Sequence, residues 1–210
     1  ITVIPLAVDQ RWFSVVSAQV RDEVSKRLQL PKSYYLFVGT LQPRKNIRRV
    51  IEAHQSLPCA IRAENPLIIV GREGWDSDVV DGLKARSYGD NIRWLQYINI
   101  SDLYVVVSLA TGLVFPSLHE GFGLPVLEAM AAGTPVITSN NTSLPEVAGD
   151  AALLIDPLDV TAISDAMLQI VEDELLVSEL KIKGGARARQ FTWERCAEET
   201  IEVYKNVLGK

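Results

Sequence analysis

The sequence predicts an α/β fold: a Rossmann-like, doubly wound parallel sheet followed by C-terminal helices. Three observations carry this expectation. Short β-rich runs alternate with helical patterns along most of the chain, as in a parallel sheet with helices on both faces. Most of those runs are apolar throughout, the pattern of strands covered on both sides. A hydrophobic fraction of 48% with 22% charged residues belongs to a globular chain able to bury a core.

From the N-terminus, residues 1–30 read as a linker (1–10) and a leading helix (14–30). Strands are predicted at 34–38, 67–70, 92–95, 112–115, 135–138 and 152–155. Asn46 stands where it can cap the helix after the first strand, with Ile47, Val50, Ile51 and His54 on one side. Ser101 with Asp102 can start another helix, and Asp159 caps one running to about Glu172. The rest is helical, 175–190 and then 192–208, with Thr192 as a cap. Residues 31–190 are thus assigned to the Rossmann-like domain and 191–210 to a C-terminal helix.

Composition excludes several functions. A net charge of −5 leaves no broad basic footprint, so nucleic acid is not an expected partner. Cys59 and Cys196 lie far apart without metal-ligand spacing; they read as packed thiols in a reducing, cytoplasmic setting. No apolar run reaches membrane-spanning length. The chain starts without Met in an apolar run, and so reads as a piece of something longer.

In doubly wound folds, ligands sit at the carboxyl ends of the strands, near the switch in strand order. The loops at that edge begin at Gly39, Gly71, Gln96, Pro116, Ser139 and Asp156. The densest chemistry lies in Phe115-Pro-Ser-Leu-His-Glu-Gly-Phe-Gly-Leu-Pro-Val-Leu-Glu128. There a strand feeds a tight Gly-rich turn, and Pro125 can open a small-residue helix (126–132). Backbone N–H groups at such a helix start attract phosphate, and the carboxylates of Glu120 and Glu128 suit sugar hydroxyls. The duller alternative is a turn eased by Gly121 and Gly123, with Glu128 on an exposed helix face. A dinucleotide fingerprint fits less well, because Val126 holds its third glycine position and the segment comes late in the domain.

The first loop, Gly39-Thr-Leu-Gln-Pro-Arg-Lys-Asn46, adds cations at the same edge. An Arg-Lys pair is often just solvated surface, yet Arg44 and Lys45 stand where a fork and a point charge can clamp phosphate. His119 can donate to a phosphate or a sugar hydroxyl, or can pack against the strand end. His54 reads as structural. Asp76-Ser-Asp78 imitates an Asp-x-Asp metal motif but fits a helix cap better. Glu146 fits ordinary first-turn chemistry after Pro145. No metal is expected.

The Arg-Lys loop and the Glu-x7-Glu segment together resemble the donor-binding half of glycosyltransferase family 4, whose members have the GT-B fold. The resemblance covers nearly the whole chain. Ile4-Pro-Leu-Ala-Val-Asp9 is similar to the linker entering that half, and Phe37 to Asn46 to its phosphate loop. Pro116 to Pro125, Ala132-Gly-Thr-Pro-Val136 and Leu144-Pro-Glu-Val147 are similar to its later motifs.

The resemblance implies that Glu120, the catalytic carboxylate, contacts donor-sugar hydroxyls near the reacting carbon, and that Glu128 accepts from the nucleotide ribose. It implies that the turn Gly121-Phe122-Gly123-Leu124 aims the Gly123 and Leu124 amides at the diphosphate. Gly39, Thr40, Arg44 and Lys45 would meet the phosphates, and Tyr97 with Ile98 would flank the base. Many family members carry Arg where this chain has Thr40, which puts one phosphate contact in doubt unless Arg44 supplies it.

The implied reaction is retaining transfer of a hexose from a nucleotide sugar, with no cofactor beyond that co-substrate. The phosphate-loop wording resembles bacterial mannosyltransferases of polysaccharide assembly, favouring mannose and GDP-mannose over a UDP-sugar. The resemblance also implies a missing N-terminal acceptor-binding domain, without which this segment binds donor weakly and transfers nothing. In the full protein the acceptor would be a saccharide or a lipid-linked acceptor met at the inner membrane face. The rivals are a non-catalytic nucleotide-binding module and another GT-B enzyme such as a nucleotide-sugar epimerase.

Overall fold

The computed structural model describes residues 1–209. Strands β1 (Tyr35–Val38), β2 (Leu67–Val70), β3 (Ile92–Trp94), β4 (Gly112–Phe115), β5 (Val136–Ser139) and β6 (Leu153–Ile155) form one parallel sheet. Its order, β3-β2-β1-β4-β5-β6, is that of a doubly wound Rossmann-like sheet, as in one half of a GT-B fold. Each predicted strand is present, its ends moved by no more than one residue.

Strand residues alternate between two cores, which is why the strands read as continuously apolar. Leu36, Ile68, Leu113 and Phe115 face a layer containing α5 (Ile100–Leu109) and α6 (Leu124–Ala131). Phe37, Leu67, Ile69, Val114 and Ile137 face α2 (Ile47–Ser56), α4 (Ser77–Lys84) and α8 (Val160–Glu172). The neighbours Tyr34 and Tyr35 are split between these layers. Their buried hydroxyls donate to Val106 O at 2.6 Å and to Met167 O at 2.7 Å, so neither is left unpaired.

The remaining helices are α1 (Ala18–Leu28), α3 (Cys59–Glu64), α7 (Leu144–Ala148), α9 (Glu174–Ala188) and α10 (Trp193–Leu208), with 3₁₀ turns at Gln10–Phe13 and Pro43–Lys45. The leading helix is therefore shorter than the predicted 14–30, because Ser17 caps α1 at one end and Gln29 turns left-handed (φ 51°) at the other. Arg27 of α1 grips the buried Asp102 of α5 through two hydrogen bonds of 2.6 and 2.9 Å, fixing the leading helix to the sheet layer. Thr192 caps α10 by accepting from Arg195 N, and Asp159 caps α8. The last residue assigned to the C-terminal helix, Lys210, lies outside the described residues.

Several local expectations are corrected. Asn99, not Ser101 or Asp102, caps α5; its Oδ1 accepts from Asp102 N at 2.8 Å. Asn46 occupies the N-cap position of α2 but makes no cap bond, having turned to φ 60°. Asp76 stands at the N-cap of α4 without a cap bond too, drawn 3.5 Å from Arg48 instead. Cys59 is exposed and Cys196 half-buried, so neither is a packed thiol; α3, which Cys59 opens, buries no side chain. No helix among the described residues is long and apolar enough to cross a membrane.

Candidate functional site

The switch in strand order falls between β1 and β4, so the loops that follow them diverge and leave a crevice at the sheet's carboxyl edge. The loop after β1 tightens into the 3₁₀ turn Pro43–Lys45, where Pro43 supplies the fixed φ. It then reverses at Asn46, whose Nδ2 donates to Pro116 O at 2.9 Å and Pro157 O at 2.6 Å. One buried amide thus ties together the loops after β1, β4 and β6. Leu118 N donates to Arg44 O at 2.8 Å, completing the seam. Asn46 serves this long-range join rather than its own helix.

That seam sets the Arg-Lys pair against Glu120. Lys45 Nζ lies 2.6 Å from Glu120 Oε1, and Arg44 Nη1 lies 3.2 Å from Glu120 Oε2 and 3.2 Å from His119 O. The ammonium of Lys45 also sits 4.8 Å from the centre of the Phe115 ring. Arg44 and Lys45 are therefore not merely solvated surface. The main chain of Glu120 is held as well: its N–H donates to Thr142 Oγ1 at 3.4 Å, and Ser143 Oγ donates toward Glu120 O (3.0 Å) and Phe122 O (2.9 Å). Thr142 and Ser143 escaped the sequence reading, since the only local signal was their place at the ligand edge after β5.

The turn then enters α6. Gly123 adopts φ 116°, and a Cβ there would lie 2.7 Å from Leu144 Cδ2, so this position needs glycine for its own fold. Gly121 differs: its φ is ordinary and a Cβ would meet nothing within 4 Å. The fold therefore does not itself require glycine at this position. Phe122 turns its ring inward, edge-on to Phe191 at 5.9 Å, leaving only its backbone toward the crevice. Among the described residues the amides of Gly123 and Leu124 make no hydrogen bond, and Pro125 has none to give. Free N–H groups at a helix start can receive an anion. The helix begins two residues before the predicted 126 and ends at Ala131.

Glu128 follows on α6, partly buried and without a hydrogen bond or ion pair among the described residues. Burial pushes its carboxyl up to about 7. A group so placed gains from a ligand that supplies hydrogen-bond donors to its charged form.

The other predicted residues divide. Gly39 (φ 156°) brings the end of β1 against the Lys45 stem, 3.7 Å from where a Cβ would be. Thr40 is half-buried beside it and offers no side-chain hydrogen bond. His119 is exposed rather than packed against the strand end. Tyr97 is 65% exposed, with the Arg72 guanidinium 4.8 Å from its ring centre. Ile98 is half-buried and packs against the core. Arg72 was missed, although it directly follows Gly71 at the same edge. His54 is buried, with Nε2 3.0 Å from Asn65 O, a structural role as expected. Asp76 and Asp78 both face Arg48. Among the described residues no cluster of three or more His, Cys, Asp or Glu side chains could hold a metal.

Several known proteins are similar to this chain. Over 175 residues the chain is 47% identical to O-antigen chain mannosyltransferase B of Escherichia coli, covering 83% of this chain and 46% of that protein. It is 33% identical over 201 residues to the serotype-specific mannosyltransferase WbdA of Escherichia coli, covering 93% and 25%. The sucrose-phosphate synthase of Thermosynechococcus elongatus has the same fold, with a TM-score of 0.82 at 28% identity over 98% of this chain and 52% of that one. The chain thus spans less than half the length of these two curated relatives. The family model for glycosyl transferases group 1 matches residues 20–190, which include both the Arg-Lys loop and the Glu120–Glu128 turn; the chain belongs to that family.

Proposed function

We propose that residues 31–190 form the donor site of a retaining glycosyltransferase that moves mannose from GDP-mannose to a saccharide acceptor. The observation that carries this is the convergence, at one strand-order switch, of Arg44, Lys45 and Glu120 with the free amides of Gly123 and Leu124. Sugar transfer leaves a nucleoside diphosphate with added negative charge. Cations and helix-start N–H groups aimed at that charge stabilise the transition state more than the ground state. Glu120 then orients the sugar, and Glu128 accepts from the ribose hydroxyls. The base lies along the backbone of Tyr97 and Ile98. Likeness to mannosyltransferases, one of them named for the O-antigen chain, supports mannose as the sugar and a saccharide chain as the acceptor. Residues that bind the acceptor belong to a further, N-terminal domain.

Thermal unfolding with GDP, UDP and ADP tests the reading. A ligand at a hundredfold excess over its Kd adds about 2.7 kcal/mol of stability. GDP is expected to stabilise the chain most, and Lys45→Ala to weaken that effect. No response to any of the three nucleotides would sink the proposal.

A further inference from the structure

We infer that Glu120 is a counter-anion built into the phosphate clamp, which makes the site prefer a loaded nucleotide sugar to the spent nucleoside diphosphate. The inference rests on the donor-site reading above. In the ligand-free chain both carboxylate oxygens of Glu120 are taken by the two cations assigned to the phosphates, Lys45 at 2.6 Å and Arg44 at 3.2 Å. The side chains of Lys45 and Glu120 are only 11% and 10% exposed, so solvent screens this pair little. One of the clamp's two positive charges is therefore already offset from within before any phosphate arrives.

Phosphate and Glu120 compete for the same positive charge. Lys45 carries one compact ammonium, and turning it toward a phosphate leaves the carboxylate short of a partner. The Glu120 backbone is pinned through Thr142 and Ser143, so the exchange takes place by side-chain rotation, with the turn in place. A sugar on the diphosphate offers hydroxyls that donate to the released carboxylate. A nucleoside diphosphate without its sugar offers none. It leaves Glu120 buried, unpaired and beside an anion, an arrangement that costs free energy. Departure of the sugar thus restores the Lys45–Glu120 pair and expels the product. The 46% exposure of the Arg44 side chain leaves it free to follow either partner.

Calorimetric titration of GDP and GDP-mannose into the chain and three variants tests this. Glu120→Gln keeps the side-chain shape and removes its charge. It is expected to bind GDP about tenfold more tightly than the wild type, about 1.4 kcal/mol, while its preference for GDP-mannose over GDP shrinks by at least that factor. Glu120→Ala should show the same gain for GDP, and each variant's unfolding midpoint shows that it is folded. Lys45→Ala should bind both ligands more weakly. If Lys45→Ala weakens GDP binding but neither Glu120 variant tightens it, Glu120 is no counter-anion and the donor-site reading stands. If Lys45→Ala leaves GDP binding unchanged, the clamp itself is wrong and both ideas fall.

Discussion

Replacing Glu128 by Gln separates what this carboxylate does for binding from what it costs the fold. Burial raises the carboxyl from its ordinary 4.5 to about 7. The folded chain therefore holds a proton that the unfolded chain gives up between those two pH values. The stability contributed by the protonated form is complete below pH 4.5 and is lost as the pH rises through about 7. At pH 8 the loss amounts to about 3 kcal/mol, from 1.36 kcal/mol for each pH unit of difference. Glu128→Gln carries no titrating group, so at pH 8 it should be the more stable protein by about that amount, or roughly 6–12 °C in Tm. At pH 4.5 the difference should nearly vanish. The measurement is urea unfolding of both proteins at pH 4.5, 6 and 8, read as a difference so that all other titrating groups cancel. Ribose hydroxyls donating to Glu128 favour its ionised form, so nucleotide binding near pH 6 should release a proton and strengthen as the pH rises past 7. A stability difference that does not change with pH would refute the reasoning, since Glu128 would then have no buried, unpartnered carboxylate to titrate.

Four further substitutions test the packing. Gly123→Ala places a methyl 2.7 Å from Leu144 Cδ2 at φ 116° and should cost about 2 kcal/mol in denaturant unfolding; Gly121→Ala, with open space around it, should leave stability unchanged and lower nucleotide affinity. Asn46→Ala strips hydrogen bonds from the Pro116 and Pro157 carbonyls and should destabilise by about 2–3 kcal/mol, while weakening nucleotide binding because the Arg-Lys loop loses its tie. His54 is buried, which pushes its imidazole below the ordinary 6.5; the unfolded chain takes up the proton first, so stability should fall as the pH drops below 6.5, and His54→Phe should flatten that limb of the pH–stability curve.

Period and burial made the sheet legible from sequence. Runs such as Leu67–Val70 and Gly112–Phe115 are apolar at every position because alternate side chains enter the two different cores; their shortness, and the turn residues that bound them, set them apart from an apolar helical run such as Leu103–Val107 in α5. The short helix Cys59–Glu64 had no such signal, since none of its side chains is fully buried and Ile61 alone among its apolar side chains packs against the core. Capping failed where a longer-range partner outbid the local one. Asn46 gives its amide to carbonyls 70 and 111 residues away, and no local pattern records that. The members of the site were legible one loop at a time. Their pairing was not, because Lys45 and Glu120 are 75 residues apart and meet only through the sheet order. Likewise, the solitude of Glu128 is a property of its surroundings, which the spacing of Glu120 and Glu128 leaves unsaid.

A structure of the chain with GDP-mannose bound tests the central claim most directly. The account predicts the diphosphate on the Gly123 and Leu124 amides with Lys45 and Arg44 turned toward it, the ribose on Glu128, and the mannose hydroxyls on a Glu120 that has let go of Lys45. A nucleotide seated away from the crevice between β1 and β4, or phosphates bound with the Lys45–Glu120 pair intact and the two amides still free, would contradict it.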